Sequence, residues 1–433
     1  MPSRQLAVAP RAGSGPVPST VRQLTARPVA AFRGREVPVW LSLVALAVGG
    51  FAIGTTEFAS MGVLPDIAGD LGVSIPTAGH AITAYALGVV VGAPTFAILG
   101  ARLPRKGLLL VLVVALSVAN LASALAPTFA TFELARFASG LPHGAYFGIG
   151  AVVASSLVPR ERRARAVAMT MMGLTVANVV GVPLTTLLGQ AAGWRSIYLT
   201  VVAIGLLTLV AVGLLVPRVV VHEGASPRRE ISALRRPQVW LTLLVGAVGF
   251  GGFFAVYSYI TPTLTEVSGF ANDAVPLALA LFGVGMTLGT MVGGRLADWS
   301  VLKTLVFAPV ATLTVQLLFT VTAHGRVTAA ATLLVLAFTS SLSLPAITAR
   351  LLDVAGDGKA LASTLNHSAL NVANALGAWL GGLVIAAGYG WTSPAAVGAV
   401  LSAGGLVVLA VSIGLERRDR QRDGDAREEP LVA

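Results

Sequence analysis

Stretches of about 20 apolar residues, long enough to cross the hydrocarbon core of a bilayer, alternate along this 433-residue chain with short connections, and arginine crowds every second connection. Twelve such stretches are predicted, over residues 40–63, 79–99, 106–126, 131–157, 166–188, 196–216, 239–262, 275–297, 304–323, 328–348, 361–387 and 392–415 (spans 1 to 12). Short loops rich in Lys and Arg stay cytoplasmic, whereas loops without them cross. With both termini cytoplasmic, 27 of the 30 basic residues fall on that side, Arg195 and Arg326 fall on the other, and Arg136 lies inside span 4. Any shifted assignment spoils this division.

Composition points the same way: 55% hydrophobic against 11% charged residues is far from the roughly 25% charged content of soluble domains. The net charge of +11 sits on the inner loops, where it sets topology and attracts anionic lipid. No basic stretch is interleaved with aromatics, so no nucleic-acid partner is expected. The absence of cysteine removes disulfides, thiol chemistry and Cys-ligated metal, and neither a metal nor any cofactor is expected. Residues 1–38, rich in Pro, Ser, Gly and Arg, are expected to be a disordered cytoplasmic tail, as are residues 416–433. Between them the expected units are a six-helix bundle over 39–216, a cytoplasmic linker over 217–238 and a second bundle over 239–415. Lysine is scarce while Ala, Gly, Val and Arg abound, a bias that places the chain in the plasma (inner) membrane of a bacterium. The first apolar segment is too long for the core of a signal peptide and should remain as a span.

The two halves repeat each other, the mark of a transporter built from duplicated bundles. Val176-Ala177-Asn178 with Gly181 recurs as Val372-Ala373-Asn374 with Gly377, an offset of 196 residues, and Gly193-Trp194 recurs as Gly390-Trp391 at an offset of 197. The loop after span 2, with Arg102, Pro104, Arg105 and Lys106, answers to Gly294-Arg-Leu-Ala-Asp298 after span 8.

With these motifs the chain resembles the major facilitator superfamily, whose loop signature reads Gly-x-Leu-Ala-Asp-Arg-x-Gly-Arg-Lys; the first copy has Ala101 where that aspartate stands. Phe51-Ala-Ile-Gly54-Thr-Thr-Glu57-Phe, Gly62-Val-Leu-Pro65-Asp-Ile-Ala68, Pro142-His143-Gly144, Gly181-Val-Pro183 and Gly193-Trp-Arg195 look like the twelve-span drug/proton antiporters, of the arabinose-efflux and chloramphenicol-resistance permease type. The resemblance covers about residues 40–415. It implies an all-α membrane protein whose twelve transmembrane helices form two pseudo-symmetric six-helix bundles, the major facilitator fold, acting as a monomer. The family's span 5 motif, Gly-x-x-x-Gly-Pro-x-x-Gly-Gly, is degenerate here, because Val182 separates Gly181 from Pro183 and Thr185-Thr186 replaces the last glycines.

Small residues nonetheless recur every four positions: Gly173, Ala177, Gly181, Thr185 and Gly189 in span 5, and Gly285, Gly289 and Gly293 in span 8. Spans 2 and 11 offer Ala84, Gly88 and Gly92 against Ala373, Gly377 and Gly381. Such seams let backbones approach closely, either as sliding contacts between bundles or as tight packing within one.

Chemistry has to come from the few ionisable groups within the bilayer, each costly there without a partner or a wet cavity. Glu57 leads, and counting 1.5 Å per residue along the helix places Arg136 at a similar depth. In similar antiporters an acid in span 1 and an arginine in span 4 serve proton coupling, and Glu57 and Arg136 match those positions; a permanent ion pair holding the two spans is the competing reading. Burial penalises a carboxylate and a nearby guanidinium favours it, so a small change of geometry moves a proton. His143 is either a further proton carrier or a neutral histidine bonded into the kink at Pro142. Tyr85, Asn178, Phe253, Tyr257, His367, Asn371 and Asn374 are the candidates for contacting substrate, with packing or interhelical bonding as the alternative for each. Arg102, Arg105 and Lys106, together with Asp298, are read as a gate on the cytoplasmic side.

No ATP-binding phosphate loop, His-Glu-x-x-His site or nucleophile elbow occurs in the sequence, and no loop is long enough for a soluble sensor domain, so an enzyme or a sensor is a distant alternative. The reading adopted is a proton-coupled efflux antiporter exporting a small amphipathic drug or metabolite, such as an amphenicol or a sugar, by alternating access. An importer or facilitator of a sugar, nucleoside or amino acid is the nearest alternative.

Overall fold

A computed structural model describes residues 31–32, 35–99, 103–218, 232–356 and 358–428. Within lipid a backbone can satisfy its own polar groups only in helices or closed barrels, and here the chain is helical. Span 1 is Val39–Gly62, span 2 is His80–Leu99, span 3 is Arg105–Leu125 and span 6 is Arg195–Leu215. Span 8 is Val275–Trp299, span 9 is Val301–Thr322 and span 11 is Lys359–Ala386. Each lies within three residues of the apolar stretch that predicted it.

Four spans are not continuous α-helix. Span 4 breaks into Phe129–Gly140 and His143–Ser156, because Pro142 supplies no N–H to continue the ladder. For that reason eleven helices, rather than twelve, are individually long and apolar enough to cross among the described residues. Span 7 runs as Pro237–Gly249, Gly251–Ser258 and Ile260–Pro262, and span 10 as Arg326–Ser341 and Ser343–Val354. Span 5, Arg163–Ala192, carries a π-helical turn at Ala177–Gly181. A π turn is how a helix absorbs one extra residue without shifting its ends; the added Val182 follows directly, so the insertion is taken up there.

Span 12 was expected to end at 415, with a disordered tail beyond. Its helix instead runs Ser393–Glu428, held where it leaves the apolar stretch by a Glu416–Arg350 ion pair. Ahead of span 1, within the segment expected to be a tail, Ala31–Phe32 pairs antiparallel with Arg35–Glu36. Residues 1–30, 33–34 and 429–433 of the expected tails, and 219–231 of the expected linker, lie outside the described residues.

Packing repeats between the halves. In the first bundle span 1 lies on spans 5 and 6, span 3 on span 6 and span 2 on span 4; in the second, span 7 lies on spans 11 and 12, span 9 on span 12 and span 8 on span 10. Between bundles, span 2 meets span 11 and span 5 meets span 8, which are the same contact under the pseudo-two-fold. Gly193 and Gly390 both take positive φ, 86° and 82°, a conformation that disfavours any residue with a Cβ; this accounts for the repeated Gly-Trp.

The glycine seams are intra-bundle. A Cβ on Gly173 would strike the backbone of Ala47 in span 1, and one on Gly181 would meet Phe51 and Thr55 of the same span. Gly285, Gly289 and Gly293 abut Leu334, Phe338 and Leu342 of span 10, Gly88 and Gly92 abut Phe137 and Leu141 of span 4, and Gly377 and Gly381 abut span 7. Only Gly283, outside every predicted seam, brings span 8 against the other bundle, facing the backbone of Asn178 and Val179.

Candidate functional site

Span 1 carries adjacent polar residues in the last third of its helix, and two of them, Thr56 and Glu57, each organise a different neighbourhood. Thr56 receives Arg136. The fully buried guanidinium donates from Nη1 to Thr56 Oγ1 at 2.9 Å and to Ser139 Oγ at 3.3 Å, and from Nη2 to the Thr56 carbonyl at 2.9 Å. Thr56 passes its own hydroxyl proton to Asn120 Oδ1 of span 3 at 2.5 Å, and Asn120 Nδ2 donates to the Leu116 carbonyl. The rings of Tyr85 and Tyr198 cover the guanidinium at 4.4 and 5.4 Å, where an aromatic face stabilises a cation. Arg136 therefore forms no ion pair with Glu57, contrary to the pairing that equal depth suggested: helix counting gives depth but not azimuth.

Glu57 points instead toward span 4's second segment and span 11. Its Oε2 lies 4.0 Å from His143 Nδ1, and its Oε1 accepts a long bond, 3.5 Å, from Asn374 Nδ2 of the other bundle. His143 shares a 3.0 Å hydrogen bond with the Tyr85 hydroxyl, so it is not tied to a backbone carbonyl at the Pro142 kink. Its ring meets Phe147 edge-on at 5.4 Å, and Phe147 stacks on His367 of span 11 at 5.8 Å with planes 5° apart. Asn371 Nδ2 donates to the His367 carbonyl. Glu57, His143, His367, Asn371 and Asn374 are thus brought to one seam between the bundles.

The remaining candidates scatter. Asn178 sits in the π turn, donating to the Leu174 carbonyl. Phe253 and Tyr257 pack on Phe282 at 5.2 and 4.3 Å, and Tyr257 also meets Phe58 of span 1 at 5.7 Å, forming an apolar plug between bundles. Tyr85 serves Arg136 and His143 rather than facing the aromatic cluster.

Cross-bundle hydrogen bonds among the described residues all lie in the half away from the basic loops: Asn374 to Glu57, Thr261 Oγ1 to the Met61 and Gly62 carbonyls at 3.1 Å, and Gln190 Nε2 to the Asn272 carbonyl at 2.8 Å. Among the described residues the expected cytoplasmic gate shows no contact between its two halves. Lys106 Nζ bonds the Gly213 carbonyl of its own bundle, Arg105 is half-buried, and Asp298 is exposed and joins no ion pair among the described residues; Arg102 lies outside them. At the opposite end, Asp70 receives Arg195 and the Trp194 indole N–H, which hold its carboxyl below the usual carboxylate range.

Thr56, Asn120, Ser139 and Tyr198 were missed as site residues from the sequence. The lone asparagine in apolar span 3 was the available signal, since polar residues in membrane helices are there for a partner.

The family model for the Major Facilitator Superfamily matches residues 46–360 and 273–433. The chain is 39% identical to the inner membrane transport protein YdhP of Escherichia coli over 378 residues, 87% of this chain and 96% of that one. It is 36% identical to a chloramphenicol resistance protein of Streptomyces lividans over 265 residues, 60% and 67% of the respective chains. The crystal structure of a D-xylose–proton symporter superposes with a TM-score of 0.67 over 86% of this chain and 97% of that one, at 15% identity, a likeness of fold. On its sequence, its duplicated bundles and these matches, the chain belongs to the major facilitator superfamily.

Proposed function

We propose that the chain is a proton-coupled efflux antiporter of a bacterial inner membrane, with both termini cytoplasmic, exporting a small amphipathic compound by alternating access. The observation that carries this reading is the placement of Glu57: a carboxyl group buried between the bundles, without a guanidinium partner, whose one hydrogen bond reaches across to Asn374. A carboxyl at a seam that opens and closes meets different surroundings in each arrangement, so rearranging the bundles changes its hold on a proton. Arg136, committed to Thr56, supplies a fixed positive field nearby. Relatives named for transport and chloramphenicol resistance favour export as the direction.

The test begins with a drug-sensitivity panel in a strain lacking its own pumps, with and without an uncoupler, followed by uptake of the protected compound into everted vesicles. An imposed interior-acid pH gradient is expected to drive accumulation, and an uncoupler to abolish it. Flux that follows the compound's own gradient and ignores pH would establish a facilitator instead.

Arg136→Lys separates the charge from its fork. A single ammonium lacks the planar two-nitrogen fork that reaches Thr56 Oγ1, the Thr56 carbonyl and Ser139 Oγ together, and with charged hydrogen bonds worth about 1.5–3 kcal/mol each, export is expected to fall by about 10- to 100-fold while the protein still elutes as a folded species in size-exclusion chromatography. Undiminished export would mean that the charge suffices without its geometry.

A further inference from the structure

His367, Asn371 and Asn374 follow one another at spacings of four and three along span 11, so they share one face, and both ends of that face are pinned to the other bundle. At one end His367 stacks on Phe147; at the other Asn374 bonds Glu57. His143 closes the ring, lying between Glu57 and Phe147. Asn371, one turn from each end, lies on the same face.

Within this ring the amide donors are already engaged. Asn371 Nδ2 donates to the His367 carbonyl and Asn374 Nδ2 to the Glu57 carboxyl. A backbone carbonyl can only accept, which fixes which end of the Asn371 amide is nitrogen. The two Oδ1 atoms are buried and unpartnered, on residues 4% and 0% exposed. Beside them stands Glu57, another acceptor when ionised. Among the described residues no donor reaches these oxygens, and the Arg136 guanidinium is turned to Thr56 and Ser139.

We propose that the niche closed by Glu57, His143, Phe147, His367, Asn371 and Asn374 selects cargo by a hydrogen-bond donor, a hydroxyl or ammonium group, received by the amide oxygens of Asn371 and Asn374. This deepens the antiporter reading and rests on it for the identity of the site. The stacked Phe147 and His367 rings offer an apolar flank for the body of such a molecule. An anionic cargo meets the two amide oxygens, joined by Glu57 when it is ionised, and no ammonium or guanidinium is among the residues that close the ring. A cargo whose donors are capped leaves the two oxygens buried and unpaired, the arrangement by which a polar site rejects an analogue lacking its hydroxyl.

The experiment reads binding, without any gradient, on the full chain purified in detergent. Probes are chloramphenicol, with two hydroxyls and an amide N–H; its di-O-acetyl ester, with the hydroxyls capped; its deacylated amine, carrying an ammonium; and its hemisuccinate, carrying a carboxylate. Chloramphenicol or the amine is expected to bind at least about tenfold more tightly than the diacetate, one hydrogen bond's worth, with the hemisuccinate weakest. Which of the first two binds better identifies the donor as hydroxyl or ammonium. Asn371→Leu and Asn374→Leu are each expected to shrink the preference. Equal binding of capped and uncapped forms, failure of both donor-bearing probes to bind, or a preference that survives both substitutions would overturn the proposal; the first two results come from the unmodified protein and need no variant to fold. Proton-driven export with no donor preference would retain the antiporter reading and remove this one, whereas a donor preference in a protein indifferent to pH gradients would do the reverse.

Discussion

Glu57→Gln is expected to reduce pH-driven export in everted vesicles to the level of vesicles lacking the protein. Glutamine keeps the shape of the side chain and an oxygen to accept from Asn374 Nδ2, which donates to Glu57 Oε1 at 3.5 Å, so the bundles still meet there. What it removes is the exchangeable proton, and with it the link between the pH gradient and the bundle arrangement. Downhill exchange of the exported compound should persist, since a neutral side chain adds no electrostatic barrier to the bundles parting. Undiminished pH-driven export by the variant would remove Glu57 from the mechanism, and loss of both driven and downhill flux would make it a structural residue.

Gly283→Val is expected to hold the bundles apart at the end where they now touch. A Cβ at this position would press on the Asn178 carbonyl and lie 3.0 Å from the Val179 Cα, all backbone of the opposing bundle and unable to swing aside. Overpacking of this kind costs about 1–3 kcal/mol, which shifts the ratio of closed to open arrangements by about 5- to 150-fold. Spin labels at the exposed positions Ala191 and Asp273, which flank the Gln190–Asn272 contact, should report longer separations, and transport should fall with them. By contrast, Gly289→Val would press on the Phe338 backbone within its own bundle and is expected to lower the yield of folded protein. An unchanged label distance in Gly283→Val would show that this contact does not limit closure.

Span limits were legible because apolar length is dictated by the bilayer, and the charge of the loops marked the ends. The breaks fall where local residues announce them: Pro142 interrupts span 4, Pro262 and Pro345 stand three residues after the interruptions at Tyr259 and Leu342, and Gly249, Gly251 and Gly252 flank the one at Phe250. Val182 was visible as an extra residue, but its conversion into a π turn depends on span 5 keeping register with span 1 on one side of the turn and with span 8 on the other. In the site, depth was readable and direction was not. Glu57 and Arg136 were placed at one level, yet adjacent residues on a helix point about 100° apart, so Thr56 rather than Glu57 met the guanidinium. The glycine seams were found, but a four-residue spacing says only that something packs closely, not whether it belongs to the same half.

Carried onto the second half by the same 196-residue step, Asn120 becomes Gln316, Thr56 becomes Gly252 and Glu57 becomes Phe253. Gln316 indeed lies beside Gly252 and accepts from Ser402, but among the described residues no arginine bonds it and no acid pairs with it. The two frames are twins and only one is wired. The seam is therefore lopsided in a way its scaffold is not: one half bears the carboxyl and the guanidinium, while the other lends the Asn374 amide that reaches the carboxyl.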